Sequence, residues 1–110
     1  NEWAKFFENW DILLCPNTAS TAMYHDQELP RHQRTILING KKESYNDQLF
    51  WPGLAVYSYL PSTSFPAGLA KNGLPIGVQA IGPYLHDLDT INFAEMMEVT
   101  YGGFKKPPNY

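Results

Sequence analysis

A chain of 110 residues with a net charge of −3 and 17% charged residues lacks the clustered Lys and Arg of a nucleic-acid footprint, since only Lys41-Lys42 and Lys105-Lys106 pair up. No run approaches the ~20 apolar residues of a membrane-spanning helix, and the lone Cys15 excludes an internal disulfide framework. A hydrophobic content of 44% with 15% aromatics describes a packed chain, yet nine prolines and eight glycines are dense for independent folding at a size where a compact domain buries roughly 65% of its unfolded surface.

Trp3, Phe6, Phe7 and Trp10 recur at i, i+3, i+4 and i+7, so residues 1–10 are predicted as the end of an amphipathic helix. Residues 12–15 read as a buried strand halted by Pro16, in which Cys15 is a buried, inert thiol. Residues 17–33 show no sustained period and form a long loop, a feature that in compact domains often carries function. Residues 35–38 and 41–45 flank Asn39-Gly40, the signature of a type I′ hairpin, with the charged second strand at an exposed edge. Over residues 47–60, Phe50, Trp51, Leu54 and Tyr57 keep helical spacing around Pro52, predicting a short, kinked helix.

Residues 62–67 and 76–81 form a further predicted hairpin, with Asn72-Gly73 in its turn. Pro61, Pro66 and Pro75 lack amide donors and belong at strand starts, edges or irregular positions, while Gly68, Gly77 and Gly82 mark bends or close backbone approach. Alternation puts Ser62 and Ser64 on one face and Thr63 on the other. In the last helix Asp87 or Asp89 is the predicted cap, Leu88, Ile91, Ala94, Met97 and Tyr101 the apolar stripe, and Gly102 the left-handed terminus before a proline-rich tail, 105–110.

Few residues offer chemistry of their own. His25, Asp26, Glu28 and His32 fit no established ligand spacing and read as a solvated loop. His86 reads as a loop residue beside the capping aspartates. Ser62 and Ser64 have no histidine or lysine at a motif-like distance and read as structural. Gly73, Gly77 and Gly82 do not make a Gly-x-Gly-x-x-Gly fingerprint, and Gly102-Gly103 lacks the Lys-Ser/Thr of a phosphate loop. No catalytic residue, metal ligand or cofactor site is therefore assigned.

Read as one string, residues 61–82, PSTSFPAGLAKNGLPIGVQAIG, resemble the C-terminal hairpin of the amidase signature hydrolases. There a strand ending in Pro-Ala-Gly precedes Gly-Leu-Pro-Ile/Val-Gly-Val-Gln, two hydrophobic residues and Gly. Asp11-Ile12-Leu13-Leu14-Cys15-Pro16 is similar to the family's strand before the variable pocket loop. Tyr24-His25-Asp26, residues 34–40, Leu49-Phe50-Trp51 and Gly102-Gly103-Phe104 with Pro107-Pro108 resemble one bacterial branch of general amidases. The resemblance covers nearly the whole chain.

That resemblance implies an α/β fold: residues 1–110 would be the C-terminal portion of a single amidase domain with a mixed sheet, built from β-hairpins and a C-terminal amphipathic helix. The intact enzyme would cleave carbon–nitrogen amide bonds with a serine nucleophile, a bridging serine in a cis peptide and a lysine base, using no metal or organic cofactor. The family's catalytic lysine and glycine/serine-rich loop have no counterpart here, so the core is expected upstream of Asn1 and the chain alone is expected to be inactive. The resemblance also nominates Asn17, Thr18, Phe50 and Trp51 as substrate-pocket residues, with core packing the competing role for Trp51. Val56-Tyr57-Ser58-Tyr59 replaces the usual small-residue run, and no helix of Asp, Thr and Asn precedes Leu60. These departures rank a general amidase above one component of a glutamine-fed amidotransferase; a non-catalytic scaffold or binding module is the rival of another class. Expected partners are the remainder of the amidase domain and a small-molecule amide, with a homo-oligomer left open. The expected location is cytoplasmic.

Overall fold

The computed structural model describes residues 2–108, so Asn1 and the last two residues of the predicted tail lie outside the described residues. The first helix, α1 (Glu2–Phe6), is shorter than the aromatic spacing predicts. Phe7 N–H still reaches back four residues to Trp3 O at 3.0 Å, but Glu8 and Asn9 bond only three residues back, to Lys5 O and Phe6 O, and this tightening ends the helix. The aromatic face persists through the turn: Trp3 and Phe7 stack at 6.2 Å, and Phe6 and Trp10 at 6.4 Å.

Strand β1 (Leu13–Pro16) extends one residue past its predicted end, because Pro16 pairs opposite Val78 instead of stopping the strand. An edge strand tolerates the missing amide donor. Strands β2 (Thr35–Ile38) and β3 (Lys41–Ser44) form the predicted hairpin. Asn39 (φ 51°) and Gly40 (φ 77°) both occupy the left-handed region that a type I′ turn requires. The long loop before them is broken only by a short 3-10 turn, Arg31–Gln33. The predicted kinked helix is a junction: a 3-10 turn over Asn46–Leu49 runs into α2 (Phe50–Ser58), which ends at a left-handed Tyr59.

Strands β4 (Ser62–Leu69) and β5 (Pro75–Ile81) pair antiparallel with an irregularity between Pro66 and Gly68, where Gly68 takes φ 118°. In the connecting turn Gly73 has φ 80°, and Asn72 contributes its side chain, whose Oδ1 accepts the Leu74 N–H at 3.2 Å. With β1 on the far side of β5, the sheet order is β1-β5-β4, and both of its strand pairs are antiparallel. The chain is thus an α/β piece built from hairpins and closed by helix α3 (Asp87–Tyr101).

Helix α3 corrects three expectations. His86, not an aspartate, occupies the N-cap position, and no side chain caps the helix; Asp87 is its first residue, and Asp89 Oδ2 instead bonds His86 Nδ1 at 2.7 Å. Both carboxylates still lie in the first turn, at the positive end of the helix dipole. The face turned to the sheet is centred on fully buried Thr90 with half-buried Phe93, Ala94 and Met97, whereas Leu88, Ile91 and Tyr101 are exposed. The phase is set by specific contacts: Thr63 and Thr90 hydroxyls lie 2.8 Å apart, and the Phe65 and Phe93 rings meet edge to face at 5.9 Å. Gly102 has the expected positive φ (88°) but an extended ψ of 151°, outside the left-handed helical region. On the opposite sheet face Cys15 and Ile81 pack with Ala55 of α2, ringed by Phe7, Leu13, Trp51, Leu54 and Leu60. The three-stranded sheet therefore separates α2 from α3.

Candidate functional site

The sheet face that meets α2 carries one buried amide. Gln79 stands in an otherwise apolar stretch of β5 and is only 4% exposed. Its Nε2 donates to Pro16 O and to Trp51 O, both at 3.0 Å, and its Oε1 accepts the Ser62 hydroxyl at 2.8 Å. One planar group thereby joins the end of β1, the first turn of α2 and the start of β4. A buried polar group needs such partners, because an unmade bond costs more than a made one gains.

Two residues along the same face, Gly77 leaves a space that Asn17 fills: a Cβ built at Gly77 would overlap Asn17 Nδ2 and lie 3.4 Å from its Cγ. Asn17 Oδ1 accepts the Ser64 hydroxyl at 3.2 Å. The predicted alternation holds, with Ser62 and Ser64 bonding on this face and Thr63 on the α3 face. Both serine hydroxyls donate to side-chain amide oxygens, which leaves neither bonded to a base.

The four nominated residues are not equivalent. Asn17 and Trp51 are held by this arrangement, Trp51 through its carbonyl and by packing its ring beside the Cys15–Ala55–Ile81 cluster. Phe50 is exposed and touches Trp51 edge to face at 5.1 Å. Thr18 is exposed, its hydroxyl turned back to Ser20 O at 2.6 Å. None of the four lines the open cleft of about 750 Å³ between Trp3, Phe7, Leu60 and Tyr84, or the one of about 300 Å³ between Phe65, Ile91 and Phe104. Burial pushes the Cys15 thiol above its ordinary value near 9.0, partly offset by a hydrogen bond with Gln79.

In the long loop, Asp26 Oδ1 accepts the Glu28 and Leu29 N–H groups at 3.2 and 3.1 Å, an Asx-type turn. Among the described residues no group of three or more His, Cys, Asp and Glu side chains is placed to hold a metal. Sequence reasoning passed over Gln79 as a site residue, although a single amide inside the run Pro75-Ile76-Gly77-Val78-Gln79-Ala80-Ile81 is itself a signal.

The family model described as Amidase matches residues 1–91, ending within α3. A glutamyl-tRNA(Gln) amidotransferase subunit from Exiguobacterium sp. is 33% identical over 106 residues, covering 96% of this chain and 20% of that protein. The subunits of the same name from Brevibacillus brevis and Ehrlichia ruminantium (strain Gardel) are 27% identical over 109 residues and 30% over 106, again covering 20% of each. The chain thus spans about one-fifth of the length of the curated relatives it matches.

Proposed function

Because the chain belongs to the amidase family, we propose that it is the C-terminal portion of a domain that cleaves carbon–nitrogen amide bonds, supplying frame and pocket wall and no catalytic residue. The observation that carries this reading is the family match over residues 1–91 together with relatives aligned along 96–99% of the chain but only 20% of their own length. In the proposed mechanism a serine in the rest of the domain attacks the amide carbonyl. A lysine base takes its proton through a bridging serine and passes it to the departing amine, and water then releases the acid. The engaged hydroxyls of Ser62 and Ser64 support their exclusion from that role. No helix among the described residues is long and apolar enough to cross a membrane.

Asn17, Thr18, Phe50 and Trp51 are proposed to wall the acyl side of the pocket. The remainder of the domain is the proposed partner of the outer faces of α2 and α3, where Val56, Leu88, Met96 and Val99 are exposed. The test is turnover of aryl anilides and simple aliphatic amides by the isolated chain and by the whole enzyme. The whole enzyme is expected to turn over and the chain is not. Sustained turnover by the chain, abolished by Ser62→Ala or Ser64→Ala, would overturn the assignment.

The names of the relatives favour a second reading, in which the whole protein is the component of an amidotransferase that passes amide nitrogen from glutamine to an acyl acceptor. Formation of amidated acyl-tRNA from glutamine, with poor hydrolysis of simple amides, would select it. Hydrolysis of simple amides without an acceptor selects the hydrolase.

A further inference from the structure

We propose that Gln79 is a positioning residue for the acyl pocket, fixing the wall that Asn17 and Trp51 form, with Gly77 giving Asn17 its seat. The inference rests on the amide-cleaving reading above and goes beyond it by naming what sets the geometry of the wall. Three observations meet at one sheet face. The Gln79 amide is buried yet bonds three separate segments, and two of its partners are the carbonyls of Pro16, which precedes Asn17, and of Trp51 itself. These bonds require two donors and an acceptor on one planar group, and among side chains of this length only glutamine offers that set. At Gly77 the absent side chain is replaced by the Asn17 amide, which Ser64 holds from the adjacent strand.

The pocket loop after Pro16 is therefore tied to β5 at two successive inward positions, 77 and 79, and not merely carried along by β1. The first turn of α2 is tied to the same point. A displacement of Gln79 would move both halves of the wall together, changing which acyl groups fit without touching the reacting atoms.

The experiment uses the whole enzyme and compares Gln79→Met, Gly77→Ala and, as a packing control in the same strand, Ile81→Val. Each is assayed for melting temperature, for kcat and KM on short- and long-acyl amides, and for amide hydrogen exchange at residues 17–20 and 50–53. Gln79→Met keeps the length of the side chain but leaves two carbonyls and a hydroxyl without their partner. It is expected to change the short-to-long ratio of kcat/KM about tenfold, chiefly through KM, and to speed exchange in both segments, a tenfold change corresponding to about 1.4 kcal/mol. Gly77→Ala displaces Asn17 alone and is expected to shift the ratio with a nearly normal melting temperature, so the idea stays testable if Gln79→Met does not fold. Ile81→Val is expected to lower the melting temperature while keeping the ratio and the exchange pattern. A wild-type ratio in Gly77→Ala, or in a folded Gln79→Met, would overturn the proposal. So would exchange in Gln79→Met no faster than in Ile81→Val. Absence of any amide turnover by the unmodified enzyme would refute the function proposed above instead, and the exchange comparison would still decide the tie.

Discussion

At Gly82 the chain passes so close to α3 that any side chain must displace the Thr90 methyl group. A Cβ added there would lie 2.7 Å from Thr90 Cγ2, with His86 O at 3.6 Å and Pro61 Cγ at 3.8 Å. Carbon atoms settle at roughly 3.5–4.0 Å, so Thr90 would have to retreat by about 1 Å. It is poorly placed to do so. Its hydroxyl donates to Asp87 O at 2.8 Å, and since that uses its only proton, the 2.8 Å contact with Thr63 is one in which Thr63 donates. Gly82→Ala is therefore expected to destabilise the enzyme by about 1–3 kcal/mol through overpacking, and by a further ~1 kcal/mol or more where the Thr63 bond breaks. Thr90→Ser removes the offending methyl and keeps the hydroxyl. In a double-mutant cycle read from urea midpoints at unchanged m-value, the second substitution should restore about 1 kcal/mol or more to Gly82→Ala. Additive effects, within about 0.5 kcal/mol, would refute the close-approach argument.

Thr18→Trp replaces an exposed loop residue, so stability should stay within about 0.5 kcal/mol while KM or acyl preference changes; an unaltered substrate profile would remove Thr18 from the pocket. The chain alone should self-associate in sedimentation experiments, because Leu88, Ile91, Met96 and Val99 are exposed along α3; a sharp two-state melt of a strict monomer would contradict this. The Cys15 thiol is raised in the folded state, so its stabilising contribution is present below its unfolded value and is lost as pH rises through the higher folded one. Stability should consequently fall above about pH 9 more steeply than in Cys15→Val, measured as urea midpoints at about pH 8 and pH 10; parallel curves would show that the thiol makes no such contribution.

Local signals carried much of this architecture. Asn39-Gly40 specifies a type I′ turn by backbone chemistry alone, and period-two alternation alone assigns Ser62, Thr63 and Ser64 to their faces. Tertiary packing decided the rest. Periodicity places Leu88 and Ile91 on one side of α3, yet the side that meets the sheet is chosen by Thr90 and Phe93, through partners in β4 distant in sequence. Aspartate propensity for helix starts is real, but an imidazole one turn away claimed Asp89. The helix over α1 stops early because its last turn tightens, which the aromatic spacing does not encode. For the candidate site, the resemblance nominates Asn17 and Trp51, whereas the amide that links their segments became visible only when β1, β4 and β5 were seen side by side.

Under the proposed function, residues 1–110 shape an amide-cleaving site whose nucleophile they do not contain. A fluorophosphonate probe, which bonds covalently to activated serines, tests this directly when the whole enzyme is labelled, digested and mapped. A single labelled serine outside residues 1–110 is expected, with labelling suppressed by an amide substrate. Label on Ser20, Ser44, Ser58, Ser62 or Ser64 would contradict it.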